Sequence, residues 1–394
     1  MEYMCKLPER LIIRKSMHSS NKSKFSYNIM FLAAISLVLA TIDVSIPKPV
    51  PFLRIGLANL PILLALFLLP AREYFFLVFI KSLGMSIISG MLLSYVALFS
   101  FVGSFASAGI MWLFSKIFAE KISFLGLAIA GALASNSIQL LIARYLVFGT
   151  SVRFMVPLFI VAGLGSGIVL GLFSLQFAKK SQWLKNFAFQ NRKNDCLPKE
   201  KFPDPKSVTV PEKPSRALSP VQLFSLLVMA TVILANTLLV AIIGFLLAFA
   251  VNIYQAKKNQ KKLPSLIMPI LVIGGITLVH LLIPRGKVLI APAGLPITET
   301  ALFAGMKSGF FLEALIFLSK NTLDSNLTLP GKLGQGFAQL FNLYKLFFSI
   351  KPTIKQHSLI ASIDEYLLTI EMRYAPNSLT HLTDNIIMNR QRGF

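Results

Sequence analysis

The sequence predicts an all-α fold: a polytopic helical membrane protein of about ten transmembrane helices, six followed by four. Three observations carry that prediction. Of its 394 residues, 55% are hydrophobic and only 14% charged, with a positive mean hydropathy, whereas a soluble domain devotes about a quarter of its residues to charge. Apolar runs recur at the length of a span, which is about 20 helical residues for a hydrocarbon core of roughly 30 Å. The cations that give a net charge of +23 sit in connections and tails beside those runs, as expected of basic loops held inside next to anionic lipid. That placement argues for lipid and against nucleic acid as the partner of the charge.

Residues 1–26 form a basic cytoplasmic N-terminus, with Lys6, Arg10, Arg14, Lys15, Lys22 and Lys24 against Glu2 and Glu9. The basic stretch is long and many spans follow, so the first apolar run reads as an uncleaved helix rather than a signal peptide. Apolar segments then run at 27–43, 57–70, 73–94, 97–118, 123–147 and 155–178. Together they predict a six-helix, substrate-binding type of membrane domain over 27–178. The second segment is short for a crossing, so it is expected to be tilted, broken or packed on a neighbour. Lys179 and Lys180 close the sixth span and return the chain to the inside.

Residues 179–219 carry ten Lys or Arg against four acids, with repeated prolines. Such a segment cannot bury enough apolar surface to offset its ordering entropy, so it reads as a cytoplasmic linker. The next apolar run, 221–251, would measure about 46 Å as one helix. Two shorter helices turning near Asn236 fit better, and with 265–283 and 297–319 they make a four-helix membrane domain over 220–320. Within the remaining tail, 321–394, Phe337, Leu340, Phe341, Tyr344, Phe347 and Phe348 recur at helical spacing. They predict an amphipathic cytoplasmic helix that lies on the membrane surface or docks a soluble partner.

Much of the chemistry is limited by what the sequence lacks. It has no G-x-x-x-x-G-K-[S/T] loop for ATP and no aspartate-rich motif to hold magnesium against a diphosphate. The four histidines are scattered. No catalytic residue, metal site or cofactor is therefore expected, and Cys5 and Cys196, both in basic segments, imply no disulfide framework.

The informative residues are polar groups among apolar spans. Asp43, the proline-rich run to Pro51, Arg54, Gly56 and Asn59 lie at the ends of, or between, the first two segments, where topology puts the outer face. Lys81 lies about 12 Å into the third span by helix rise. It either snorkels, pairs with a carboxylate such as Asp43, or meets a ligand. Asn136 and Gln139 share a face of the fifth span beside Ser135 and Ser137, suiting interhelical hydrogen bonds as well as substrate contact. Arg144 follows one and a half turns later. Small pairs such as Gly163 with Gly167, and Gly167 with Gly171, mark close helix approach. The substrate-binding candidates are thus Asp43, Arg54, Asn59, Lys81, Asn136, Gln139 and Arg144.

The run from Ile46 through Arg54-Ile-Gly-Leu-Ala-Asn-Leu60, the stretch Ile80-Lys81 to Gly90, and the segment Ala130-Gly131 through Asn136 to Gln139 resemble the Gx transporter family, over approximately 27–178. That family is also catalogued as heptaprenyl diphosphate synthase component I. It is similar to the substrate-binding membrane subunits of energy-coupling-factor transporters, which implies six helices and a pocket open to the outside. Asp43 stands where the family's glutamate is expected and Lys81 where an arginine is usual; lysine cannot make a planar bidentate contact. The run from Ala293 to Gly309 more weakly resembles the transmembrane coupling (CbiQ-like) subunit of the same transporters, although the Ala-Arg-Gly signature of its coupling helices is missing after residue 320.

These readings lead to one expectation and two rivals. The expectation is an uptake component in the cytoplasmic membrane, both termini inside, that captures a small-molecule substrate at the outer face while ATPase subunits in trans supply energy. The first rival is a non-catalytic component I of a heptaprenyl diphosphate synthase. The second is a structural membrane protein without ligand.

Overall fold

The computed structural model describes residues 27–45, 56–118, 121–187, 219–260, 262–284, 286–291, 296–322, 331–350 and 359–374. The basic N-terminus, the proline run 47–51, Arg54, both cysteines, most of the linker and residues 293–295 of the Ala293 run lie outside the described residues. The fold is all-α, with one two-stranded antiparallel pair, β1 (Val288–Ile290) and β2 (Ile297–Thr298).

The first half contains α1 (Tyr27–Ser45), α2 (Leu60–Leu68), α3 (Ala71–Ile88), α4 (Tyr95–Ile117), α5 (Phe124–Ala143) and α6 (Val156–Lys180), followed by a short α7 described from 182 to 187. The second half contains α8 (Pro220–Ala235), α9 (Leu238–Lys258), α10 (Ile267–Leu281) and α11 (Glu299–Thr322). Two more helices close the chain, α12 (Gly331–Ser349) and α13 (Leu359–Tyr374). By length and composition α4, α5 with its extension to Phe154, α6, α9 and α11 can each cross a membrane, and shorter apolar helices accompany them.

Local chemistry explains the breaks. Asn236 ends α8 in the left-handed region at φ 43°, and the Thr237 side chain then caps α9, so the long apolar run folds back where the sequence predicts. The second segment is broken as well. Gly56 sits at φ 85°, a 3-10 turn occupies Leu57–Asn59, and Pro61 starts α2, which has only nine residues. At 1.5 Å per residue α2 is about 13 Å long, under half the hydrocarbon core. Its N-cap residue, Asn59, meets Lys81 partway along α3, so the start of α2 lies inside the bundle.

Glycines set the packing of α5 on α6. A Cβ on Gly167 would lie 2.7 Å from Ile129 Cα and one on Gly171 2.7 Å from Leu125 Cα, so the backbones touch across this stripe. Tyr74 reaches the Ala108 carbonyl and Lys81 the Ser104 hydroxyl, making α3 and α4 antiparallel. Gly103 faces Gln139 while Gly131 faces Met111, which makes α4 and α5 antiparallel too. Hence α3 and α5 run the same way.

Two contacts depart from expectation. The amphipathic α12 packs within the molecule along α1 and α3: Tyr344 Oη lies 2.9 Å from Thr41 Oγ1, the Phe347 and Phe31 rings are 5.8 Å apart, and Leu340 fills the space beside Gly84. Its apolar face is covered by protein of its own chain. In addition, α11 touches Val147, beyond the end of α5, through Ser308, and Gly90, beyond the end of α3, through Ser319. Those two points lie at the same end of the bundle, while the serines are about 16 Å apart along α11. α11 thus runs steeply across that end instead of beside α3 at matched depth.

Candidate functional site

The segmented start of α2 brings polar groups into the bundle interior. Asn59 occupies the N-cap position of α2, yet its side chain makes no capping hydrogen bond. Its Oδ1 instead accepts from Lys81 Nζ at 2.9 Å, and Ser104 Oγ lies 3.4 Å from the same nitrogen. Lys81 is 3% exposed, so its stem does not snorkel to a surface. Asp43, near the end of α1, is equally buried and accepts the Gly56 N–H at 3.1 Å through Oδ2. The left-handed Gly56 turns the chain so that this amide meets the carboxylate.

Across the cavity stand the amides of α5. Asn136 Nδ2 donates to the Phe159 carbonyl at 2.7 Å, tying α5 to the first turn of α6. Gln139 Nε2 donates to Ser135 Oγ at 3.2 Å. Glycines make room for both: a Cβ on Gly103 would come within 2.6 Å of Gln139 Nε2, and one on Gly163 within 2.8 Å of Asn136 Nδ2. Gln139 Oε1 and Ser107 Oγ are buried with no hydrogen-bond partner. An unmet buried acceptor costs about 1–3 kcal/mol, so these atoms are suited to water or a ligand.

The cavity is lined by Asp43, Asn59, Lys81, Asn136 and Gln139, together with Ser100, Ser104, Ser107, Ser135 and Ser166, and has a volume of about 40 Å³. That is room for a few waters, against the several hundred Å³ of a typical small-molecule site. Its two formal charges are opposite, one lysine and one aspartate, so a ligand meets an electrically balanced site rich in hydroxyls and amides.

Five of the seven sequence candidates therefore converge on one cavity. Arg144 does not: it begins the π-type turn Arg144–Phe148 and is exposed, outside the cavity lining. Arg54 lies outside the described residues. Sequence reasoning missed the serines of α4. Ser100, Ser104 and Ser107 are spaced i, i+4, i+7 and share one helix face, a stripe readable in the sequence but hidden among small residues that suit packing equally well. Among the described residues no group of three His, Cys, Asp or Glu side chains could hold a metal ion.

Two stretches of the chain match known family models. Residues 213–325, which span α8 to α11, match a domain of unknown function (DUF8519). No curated protein and no solved structure matches the chain. Residues 32–177 match the model described as heptaprenyl diphosphate synthase component I, and every residue lining the cavity falls inside that match. The six-helix half of this chain, with its buried polar cavity, is therefore similar to the heptaprenyl diphosphate synthase component I family, the Gx transporter family, over residues 32–177.

Proposed function

We propose that the first half is the binding component of an uptake system of energy-coupling-factor type, holding a small polar solute in the membrane interior while separate subunits hydrolyse ATP. The observation that carries this reading is the convergence of Lys81, Asn59 and Asp43 with the unmet acceptors of Gln139 and Ser107 around one cavity. Leaving the Gln139 and Ser107 oxygens buried without a hydrogen-bond partner beside these charges is costly inside an apolar bundle unless a bound molecule meets them. Both termini are proposed to be inside, from the basic N-terminus and linker. The second half is proposed as the coupling scaffold.

Mass spectrometry of small molecules co-purified with the full chain tests this. A solute should accompany the wild type and be lost from Lys81→Met, with the variant still eluting as a folded species and ATPase subunits recovered with both. No solute and no ATPase subunit in the wild type would sink the reading and leave a structural membrane protein.

The family description favours a second reading, a non-catalytic membrane component of a polyprenyl diphosphate synthase. Its partner would carry the diphosphate chemistry that this sequence lacks. The small polar cavity weighs against it as a holder of a prenyl chain, which calls for a long apolar channel. Recovery of a prenyl synthase with the chain, and shortened prenyl products on its deletion, would favour this reading over uptake.

A further inference from the structure

Two backbone breaks next to helices of the cavity wall are held by the second half. On the α5 side, the Val147 carbonyl lies in the π-type turn Arg144–Phe148. It accepts from Ser308 Oγ of α11 at 3.1 Å and from His280 Nε2 of α10 at 3.0 Å. Nε2 must carry the proton there, since a carbonyl only accepts. The imidazole also rests near the Phe148 ring, centroids 5.9 Å apart. On the other side, Gly90 at φ 67° breaks the chain between α3 and α4. Ser319 Oγ of α11 donates to the Gly90 carbonyl and accepts the Leu93 N–H, both at 3.0 Å.

Ser308 and Ser319 are eleven residues apart, three turns of helix, and so fall on one stripe of α11. Between them Leu312 and Ile316 pack with Tyr95, Val96 and Phe99 of α4. α10 and α11 form one stiff piece, because a Cβ on Gly305 would lie 2.6 Å from Thr277 Cα and one on Gly309 2.9 Å from Ile273 Cα. The helices gripped at these breaks are the ones that carry Lys81, Ser104 and Gln139.

We propose that the α10–α11 pair sets the width of the cavity, with Ser308, His280 and Ser319 as positioning residues that hold α5 and the α3–α4 turn in the narrow state. The proposal rests on the cavity being the binding site. Its mechanical content does not depend on which solute binds. Release of the three pins frees the two breaks, lets α5 and α4 part, and admits polar molecules to Ser104.

The test uses the full chain with Cys5→Ser and Cys196→Ser, carrying Ser104→Cys as a reporter in the cavity or Ser36→Cys as a reporter in the core of α1. Each is labelled by a cationic methanethiosulfonate. Adding Ser308→Ala, Ser319→Ala and His280→Phe should raise the Ser104→Cys labelling rate about tenfold, the scale of one or two lost hydrogen bonds. Ser36→Cys should stay protected, and Ser308→Thr alone, which keeps the hydroxyl, should leave the rate unchanged. An unchanged Ser104→Cys rate with all three pins removed overturns the proposal, as does a parallel rise at Ser36→Cys, which would make the pins merely structural. Absence of both a co-purified solute and an ATPase subunit would instead refute the uptake reading and leave the labelling result standing.

Discussion

Gly167 and Gly165 lie on the same helix two residues apart, and their neighbours give them different fates. An added Cβ at Gly167 meets backbone of α5 at 2.7 Å, whereas at Gly165 nothing lies within 4 Å. Gly167→Val is expected to destabilise by about 1–3 kcal/mol or more, because backbone cannot step aside as a side chain can. Gly165→Ala should be neutral or slightly stabilising, by up to about 1 kcal/mol, since alanine loses less backbone entropy in a helix. Thermal denaturation of the two variants in detergent checks the contrast. Asn136 reads similarly at this scale. Its donation to Phe159 O makes it an interhelical tie as well as a cavity wall, so Asn136→Ala should lower stability by about 1–3 kcal/mol, whatever it does to binding.

At the scale of elements, α13 is docked by two carboxylates with opposite needs. Asp364 caps α7: Oδ1 accepts from Ser181 Oγ and from Trp183 N at 3.0 Å, and Oδ2 from Gln182 N at 2.9 Å. Glu371 lies on the same helix, 1% exposed. Burial pushes its carboxyl from the ordinary 4.5 up to about 7, and the neighbouring Trp183 indole N–H offsets part of that rise. The pair fall outside strict hydrogen-bond geometry, with Glu371 Oε1 and Trp183 Nε1 both unpartnered. A raised carboxyl favours the docked helix when protonated. Docking through Glu371 should therefore be strongest below about pH 4.5, weaken as the pH rises toward 7, and be poorer by on the order of 3 kcal/mol above it. Hydrogen exchange of α13 at pH 5 and pH 8 should show this loss of protection, and Glu371→Gln should flatten it. Neither this docking nor that of α12 was legible in the sequence. An amphipathic period reports that one face is covered, not by what.

For the whole molecule, charge counting and packing make different statements. Counting puts the last turn of α11 inside and the α3–α4 turn outside, whereas Ser319 binds Gly90 and Leu93 directly. Leu92→Cys and Lys320→Cys, each in a background without other cysteines, should therefore react with an impermeant thiol reagent from the same side of sealed vesicles. Reaction from opposite sides would contradict the contact. Loop charge records which side a segment was retained on. It says nothing about the tilt of a helix between two such loops.

Composition and run length were enough by themselves to establish the all-α membrane class and the turn at Asn236. Each of those depends on local quantities: transfer of apolar residues, helix rise, and the left-handed conformation that asparagine tolerates. Lys81 and Asp43 also stood out unaided, because ionisable groups among apolar spans are rare. Only the tertiary structure decided that these two share a cavity with Asn59 and Gln139, that Arg144 is outside it, and that the α4 serines belong to it. It likewise decided that α11 grips the breaks on either side. A residue's type shows that it needs a partner, but the partner is set by which helix faces close on one another. Here that closing depends on Gly103, Gly163 and Gly167, whose missing side chains let α4, α5 and α6 come together.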